Sequence, residues 1–269
     1  MFFDYIFFKN VAKNIDNNKQ IWKHKYERRI NKIHHISKCK DFINKDSRKE
    51  YITKIIMGII KPKVHDVEQV KNLEIELNKC IENYEIRDIK FENLEDENIN
   101  AEKYEFRNCI FENCKYIKSN FENAYFSDVI FKNCDFSNSN FSKAGFNRIE
   151  FFNCKLTGCD FIETDIFNTN IKESNLEYIN LSNSSFKDVK IENTNLQSSG
   201  ICEVKFKNIE FEECNLNKCQ LFRTKLKNID FSTCDINGII VDASDLKGVI
   251  VNEFQALELS KLLGLKIKY

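Results

Sequence analysis

Proline is almost missing from this 269-residue chain: Pro62 stands alone, with only seven glycines beside it. So few breakers leave no room for long disordered linkers, and the chain reads as one elongated domain or two, with ample length for a core. Net charge is missing too, 41 basic residues balancing 41 acidic ones. The balance hides an asymmetry of +8 over residues 1–80, −5 over 81–100 and −3 over 101–269. No apolar run is long enough to span a bilayer, so no membrane role is expected. Met1-Phe2-Phe3-Asp4 has neither the basic start nor the long apolar core of a secretory signal. With 11 cysteines in the chain, this points to a reducing cytoplasm.

Recognisable chemistry is equally scarce. There is no Gly-rich phosphate loop, nucleophile elbow or metalloprotease helix. The four histidines, His24, His34, His35 and His65, lie near the N-terminus, and neighbours on a helix project about 100° apart, so His34 and His35 cannot chelate together. Cysteine pairs such as Cys109 and Cys114, Cys154 and Cys159, and Cys214 and Cys219 are five apart, wider than a zinc knuckle. No carboxylate pair has a neighbour that would perturb its pKa. The expectation is a protein with no catalytic residue, no metal and no cofactor.

What the chain has in abundance is a period. From Phe106 an apolar residue returns at every fifth position through Phe111, Tyr116, Phe121 and Phe126 to Leu246 and Val251, 30 slots without a slip. With 42% of the chain apolar, chance would give this on the order of once in 10¹¹ tries, so the period is structural. Two residues before each slot sits a smaller series, Cys109, Cys114, Ser119, Ala124, Val129 and Cys134 onward to Ser244 and Val249. Five matches neither the 3.6 of a helix nor the 2.0 of a strand. The chain must turn regularly, two of every five side chains inward, and each turn buries them by stacking on the next.

Runs such as Cys134-Asp135-Phe136-Ser137-Asn138, Cys159-Asp160-Phe161-Ile162-Glu163 and Ser174-Asn175-Leu176-Glu177-Tyr178 resemble the pentapeptide-repeat family: a small residue, Asp or Asn, Leu or Phe, then two polar residues. The resemblance implies a β-solenoid, a right-handed quadrilateral β-helix with about 20 residues per coil. It departs at the Asp/Asn position, held here by Ile110, Lys115, Ile130 and Lys155 among others. Residues 20 apart should then stack, as in the column Cys114, Cys134, Cys154, Ser174, Thr194, Cys214 and Cys234. Outward, Asn113, Asn133, Asn153 and Asn193 form a column of the kind that caps turn backbone.

The solenoid is expected over 86–251, with a distorted first coil where Asp96 breaks a slot and Ala101 weakens the next. Residues 1–85 read as a basic N-terminal α-helical bundle that caps it. One helix runs from about Asp16 to Ile43, a second from the Ser47/Glu50 capping box to Pro62, and a third from Asp66, with Gln69 reciprocating, through Val70, Leu73, Leu77, Cys80 and Tyr84. Met1 to Phe8 is short and aromatic and reads as docking on its own domain. Over 252–269, Asn252 and Gln255 start a C-terminal helix that stops at Gly264, and Leu265 to Tyr269 alternates as a short strand. This ending is similar to that of quinolone-resistance pentapeptide proteins. The similarity implies a homodimer through Phe254, Leu257, Leu262, Leu263, Leu265 and Ile267.

Function is therefore sought on the outside of the rod. The family resemblance implies mimicry of duplex DNA, an acidic rod occupying the DNA-binding saddle of a type II topoisomerase such as DNA gyrase and conferring drug resistance. Four faces follow from the coil, carrying net charges of +3 (slots Phe106, Phe126 and on), −5 (Phe111, Phe131), +1 (Tyr116, Phe136) and −3 (Phe121, Phe141) over 105–243. The second face holds the candidate acidic contact: Glu112, Glu150, Glu192, Glu210, Glu212, Glu213 and Asp230. A different reading is a scaffold or effector-type interaction module that binds an unrelated protein through outward Tyr125, Phe152, Phe167 and Phe222. A third is nucleic-acid binding by the basic helix with Trp22 and Tyr26.

Overall fold

A computed structural model describes residues 59–266 and 268. The first two expected helices fall on residues 1–58, outside the described residues; Ile59 to Lys61, at the end of the second, are not helical.

Eight-residue strands recur one per coil: β3 (Glu105–Glu112), β4 (Tyr125–Lys132), β5 (Gly145–Phe152), β6 (Asp165–Lys172), β7 (Ser185–Glu192) and β8 (Lys205–Glu212). Each pairs with the next in parallel and in register, Phe106 opposite Phe126 and Phe126 opposite Phe146. The offset of 20 residues is the expected coil, and the parallel solenoid of about seven turns is the expected quadrilateral fold.

The period of five has a local cause. The second residue after each slot is left-handed: Asn108, Asn113, Lys118 and Asn123 have φ of 52°, 54°, 51° and 58°, and the series runs on to Asn228. One such residue among four extended ones turns the chain through a corner. Asn tolerates this conformation best among non-glycine residues, hence its frequency there. The column Asn93, Asn113, Asn133 and Asn153 does not cap backbone as expected; each side-chain amide donates to the one below at 2.9–3.0 Å.

The four faces are not equivalent. The strands line the first and second faces, whereas the third and fourth are built mainly from tight turns joined by single bridges. In those turns the residue before the slot accepts the N–H two residues on, as Asp135 does from Ser137 at 2.8 Å and Asn140 from Ser142 at 2.9 Å. Residues inside the strands need no such turn. Ile110 and Ile130 therefore stand where the family motif has Asp or Asn, and they lie directly opposite each other in the ladder.

Inward, the lower coils are cored by stacked rings. Phe106, Phe126 and Phe146 follow at centroid spacings of 5.0 Å, and Phe111, Phe131 and Phe151 at 5.0 and 4.7 Å. Above Phe161 the slots become largely Leu and Ile. The smaller slot favours Ser, Thr and Cys because its donor reaches the carbonyl of the coil below. Ser139 donates to the Tyr116 carbonyl at 2.9 Å and Thr224 to that of Ile201 at 2.7 Å. Cys159 does the same to Phe136 at 2.9 Å.

Both ends differ in detail from expectation. The third helix does not begin at Asp66. Glu68–Val70 is a strand, β1, which pairs with β2 (Ile89–Glu92), and α1 spans Leu73–Lys79 with Asn72 as its N-cap. Pairing with the sheet overrides the local capping signal, and the Gln69 side chain donates to Glu92 instead. Leu73 and Leu77 are buried against the first coils, where the Tyr104 hydroxyl donates to the Leu77 carbonyl at 2.8 Å. Ahead of β1 the chain lies along the corner of the first face, with His65 N–H bonded to Asn108 and Lys63 N–H to Asp128. At the other end α2 (Glu253–Ser260) has the full Asn252/Gln255 capping box. Gln255, 8% exposed, also donates to the carbonyls of Phe231 and Cys234, satisfying the open end of the coil. Gly264 is left-handed as expected, but Leu265 and Lys266 form no strand.

Candidate interaction surface of the rod

Outward residues flank each buried slot on the strand faces, so two columns run up each face about 4.8 Å per coil, roughly 7 Å apart. On the second face the expected acidic residues fall into two groups. Glu112 is clamped by Lys132 at 2.6 Å and Lys90 at 2.8 Å, and these hydrogen bonds lower its pKa to about 2. Glu192 is held by Lys190 at 3.1 Å and Lys172 at 3.3 Å, which also lowers its pKa. Lys190 reaches on to Glu212 at 2.6 Å. These carboxylates are largely answered within the rod.

The rest are not. Glu150, Glu210, Glu213 and Asp230 make no ion pair among the described residues, and three of the four sit in the last two coils of the face. Backbone N–H groups bond there: the Glu213 N–H donates to the Thr233 hydroxyl, and the Asp230 carboxylate accepts from the Ser232 N–H. The second face is thus a ladder neutralised below except at Glu150, and an acidic patch above of Glu210, Glu213 and Asp230, with Glu212 beside them paired to Lys190.

The expected aromatic contacts do not form one surface. Tyr125, 38% exposed, lies over Gly145, where an added Cβ would come within 2.6 Å of its ring. Phe167 shares that face two coils higher, Phe152 lies on the second face between Lys132 and Lys172, and Phe222 is on the fourth. At the C-terminus Phe254, Leu262, Leu263 and Leu265 are exposed, Leu257 is half-buried, and Ile267 lies outside the described residues.

The described cysteines are free, and burial pushes Cys109, Cys159 and Cys219 up to about 12. Among the described residues no cluster of His, Cys, Asp and Glu could hold a metal, and no helix is long and apolar enough to cross a membrane.

The family described as pentapeptide repeat region matches residues 104–181 and 144–221. No curated protein matches the chain. Among solved structures, a trypsin-treated form of QnrB1, a plasmid-mediated fluoroquinolone resistance protein, is 23% identical, with 68% of this chain and 95% of that one covered and a TM-score of 0.32. HetL, involved in heterocyst differentiation regulation in the cyanobacterium Nostoc, is 12% identical over 64% of this chain and 93% of its own, with a TM-score of 0.21. Rfr23 from the cyanobacterium Cyanothece is 11% identical over 67% and 100%, with a TM-score of 0.25. The strand register, not these scores, carries the fold.

Proposed function

We propose that the chain, whose residues 104–221 match the pentapeptide-repeat family, acts without catalysis, by presenting the outside of its rod to a type II topoisomerase such as DNA gyrase. The carrying observation is the upper acidic patch, whose carboxylates at Glu210, Glu213 and Asp230 are left without ion pairs on a face that answers Glu112, Glu173, Glu192 and Glu212. A surface of uncompensated carboxylates on a rigid lattice resembles a short stretch of phosphate backbone. Contact with the enzyme's DNA-binding saddle is therefore limited to the upper coils. Four exposed apolar residues, Phe254, Leu262, Leu263 and Leu265, support a head-to-head homodimer through the C-terminal segment. Such a protein works in the cytoplasm, where the enzyme is.

The test is gyrase supercoiling with micromolar protein, with and without a quinolone. Protection from the drug or inhibition of supercoiling is expected, and E210Q/E212Q/E213Q/D230N should weaken either by about tenfold, on the order of 1.4 kcal/mol. Unaltered supercoiling at that concentration overturns the reading.

A further inference from the structure

At the height of the acidic patch, the neighbouring first face carries the opposite charge. Lys187, Lys205, Lys207, Lys225, Lys227 and Lys247 occupy its outward columns in four successive coils, and all six are exposed. None makes an ion pair among the described residues, although lysines elsewhere on the strand faces do: Lys90, Lys132, Lys172 and Lys190 all meet carboxylates. Lys187 and Lys207 stand directly opposite each other in the ladder between β7 and β8. Like charges in that position destabilise a sheet. Lower on the same face the signs are mixed, as in the pair of Arg148 and Asp128.

We propose that this lysine strip binds the phosphate backbone of a nucleic acid running along the rod. Four coils span about 14 Å, over which one strand of B-DNA presents about four phosphates. A linear polyanion fits better than a lipid surface. The strip is one face wide, and Glu203 and Asp242 on the fourth face and Glu212 and Glu213 on the second flank it. A planar anionic membrane would meet those carboxylates, whereas a single backbone tracks the lysine columns and meets one carboxylate, Asp245, at their upper end. Asp188, at the lower end, is engaged by the Asn208 side chain at 2.8 Å. The inference does not depend on a topoisomerase partner.

The test is fluorescence anisotropy of a labelled 20-base-pair duplex and of a 20-nucleotide single strand against the full chain across a salt series. A K205Q/K207Q/K225Q/K227Q variant should bind at least tenfold more weakly, with the slope of log K against log salt shallower by about 3 to 4 for the duplex. Its melting temperature should not fall, because strand repulsion is relieved. The same change at Lys23, Lys25, Arg28 and Arg29 should leave the slope unchanged. Undiminished binding by the first variant, loss only with the second, or preference for phosphatidylserine vesicles over both nucleic acids would overturn the proposal.

Discussion

Up to Lys190 each lysine on the second face meets a carboxylate of its own rod, as Glu112 meets both Lys90 and Lys132; above Lys190 the two strand faces part company, lysines on the first and carboxylates on the second. The lower coils are also cored by stacked phenylalanines and the upper ones largely by Leu and Ile. One backbone thus serves two purposes. The lower second face is self-satisfied except at Glu150, while the upper coils leave Glu210, Glu213, Asp230 and the first-face lysines for something else to answer.

The comparison can be broken at several points. The largest effect is expected in the ring stack. Phe126→Ala removes a fully buried ring between Phe106 and Phe146 and should lower unfolding free energy by about 4 kcal/mol, against about 3 for Leu196→Ala above. Urea denaturation followed by circular dichroism measures both, and equal losses would show that the stacking adds nothing beyond volume. Next, Asp96 occupies an inward slot opposite Tyr116, and burial raises its pKa. A raised carboxyl pKa favours the fold below the unfolded value near 3.8 and loses that contribution as pH rises through the folded value. Asp96→Leu should therefore add about 1 kcal/mol at pH 7 and much less at pH 3, read from the pH dependence of melting.

Glu112 behaves oppositely. Its lowered pKa contributes stability above about 4.5 that is lost as pH falls toward about 2. Glu112→Gln should flatten that acid limb, while Glu210→Gln, in the unpaired patch, should leave it as it was. The smallest effect is at Gly145. An alanine there must push the Tyr125 ring aside, a loss of about 0.5 to 1 kcal/mol by the same denaturation measurement.

Much of the fold is legible in residues alone, because two inward side chains in every five cannot be hidden any other way. Which faces carry strands was also written there. Asp or Asn before the slot marks the turns of the third and fourth faces, and Ile110 and Ile130 mark a strand, but they read as mere departures from a motif. The strand at Glu68–Val70 was hidden because Asp66 and Gln69 mimic a helix start and only pairing with Ile89–Phe91 reveals otherwise. The candidate surface was legible only in part. Summing the first face over its whole length gave +3, since Glu105, Asp128 and Asp165 below offset the lysines above. Likewise Glu112 and Glu192 counted as free acid until the register placed lysines beside them.

The claim that the upper coils carry the contact is tested most directly by measuring immobilised gyrase binding for two charge variants of the full chain. E210Q/E212Q/E213Q/D230N should bind at least tenfold more weakly than the unaltered protein, and E112Q/K132Q should bind as well as it does. Equal loss in both, or loss only in the lower pair, would contradict the division of the rod into a self-satisfied half and a contact half.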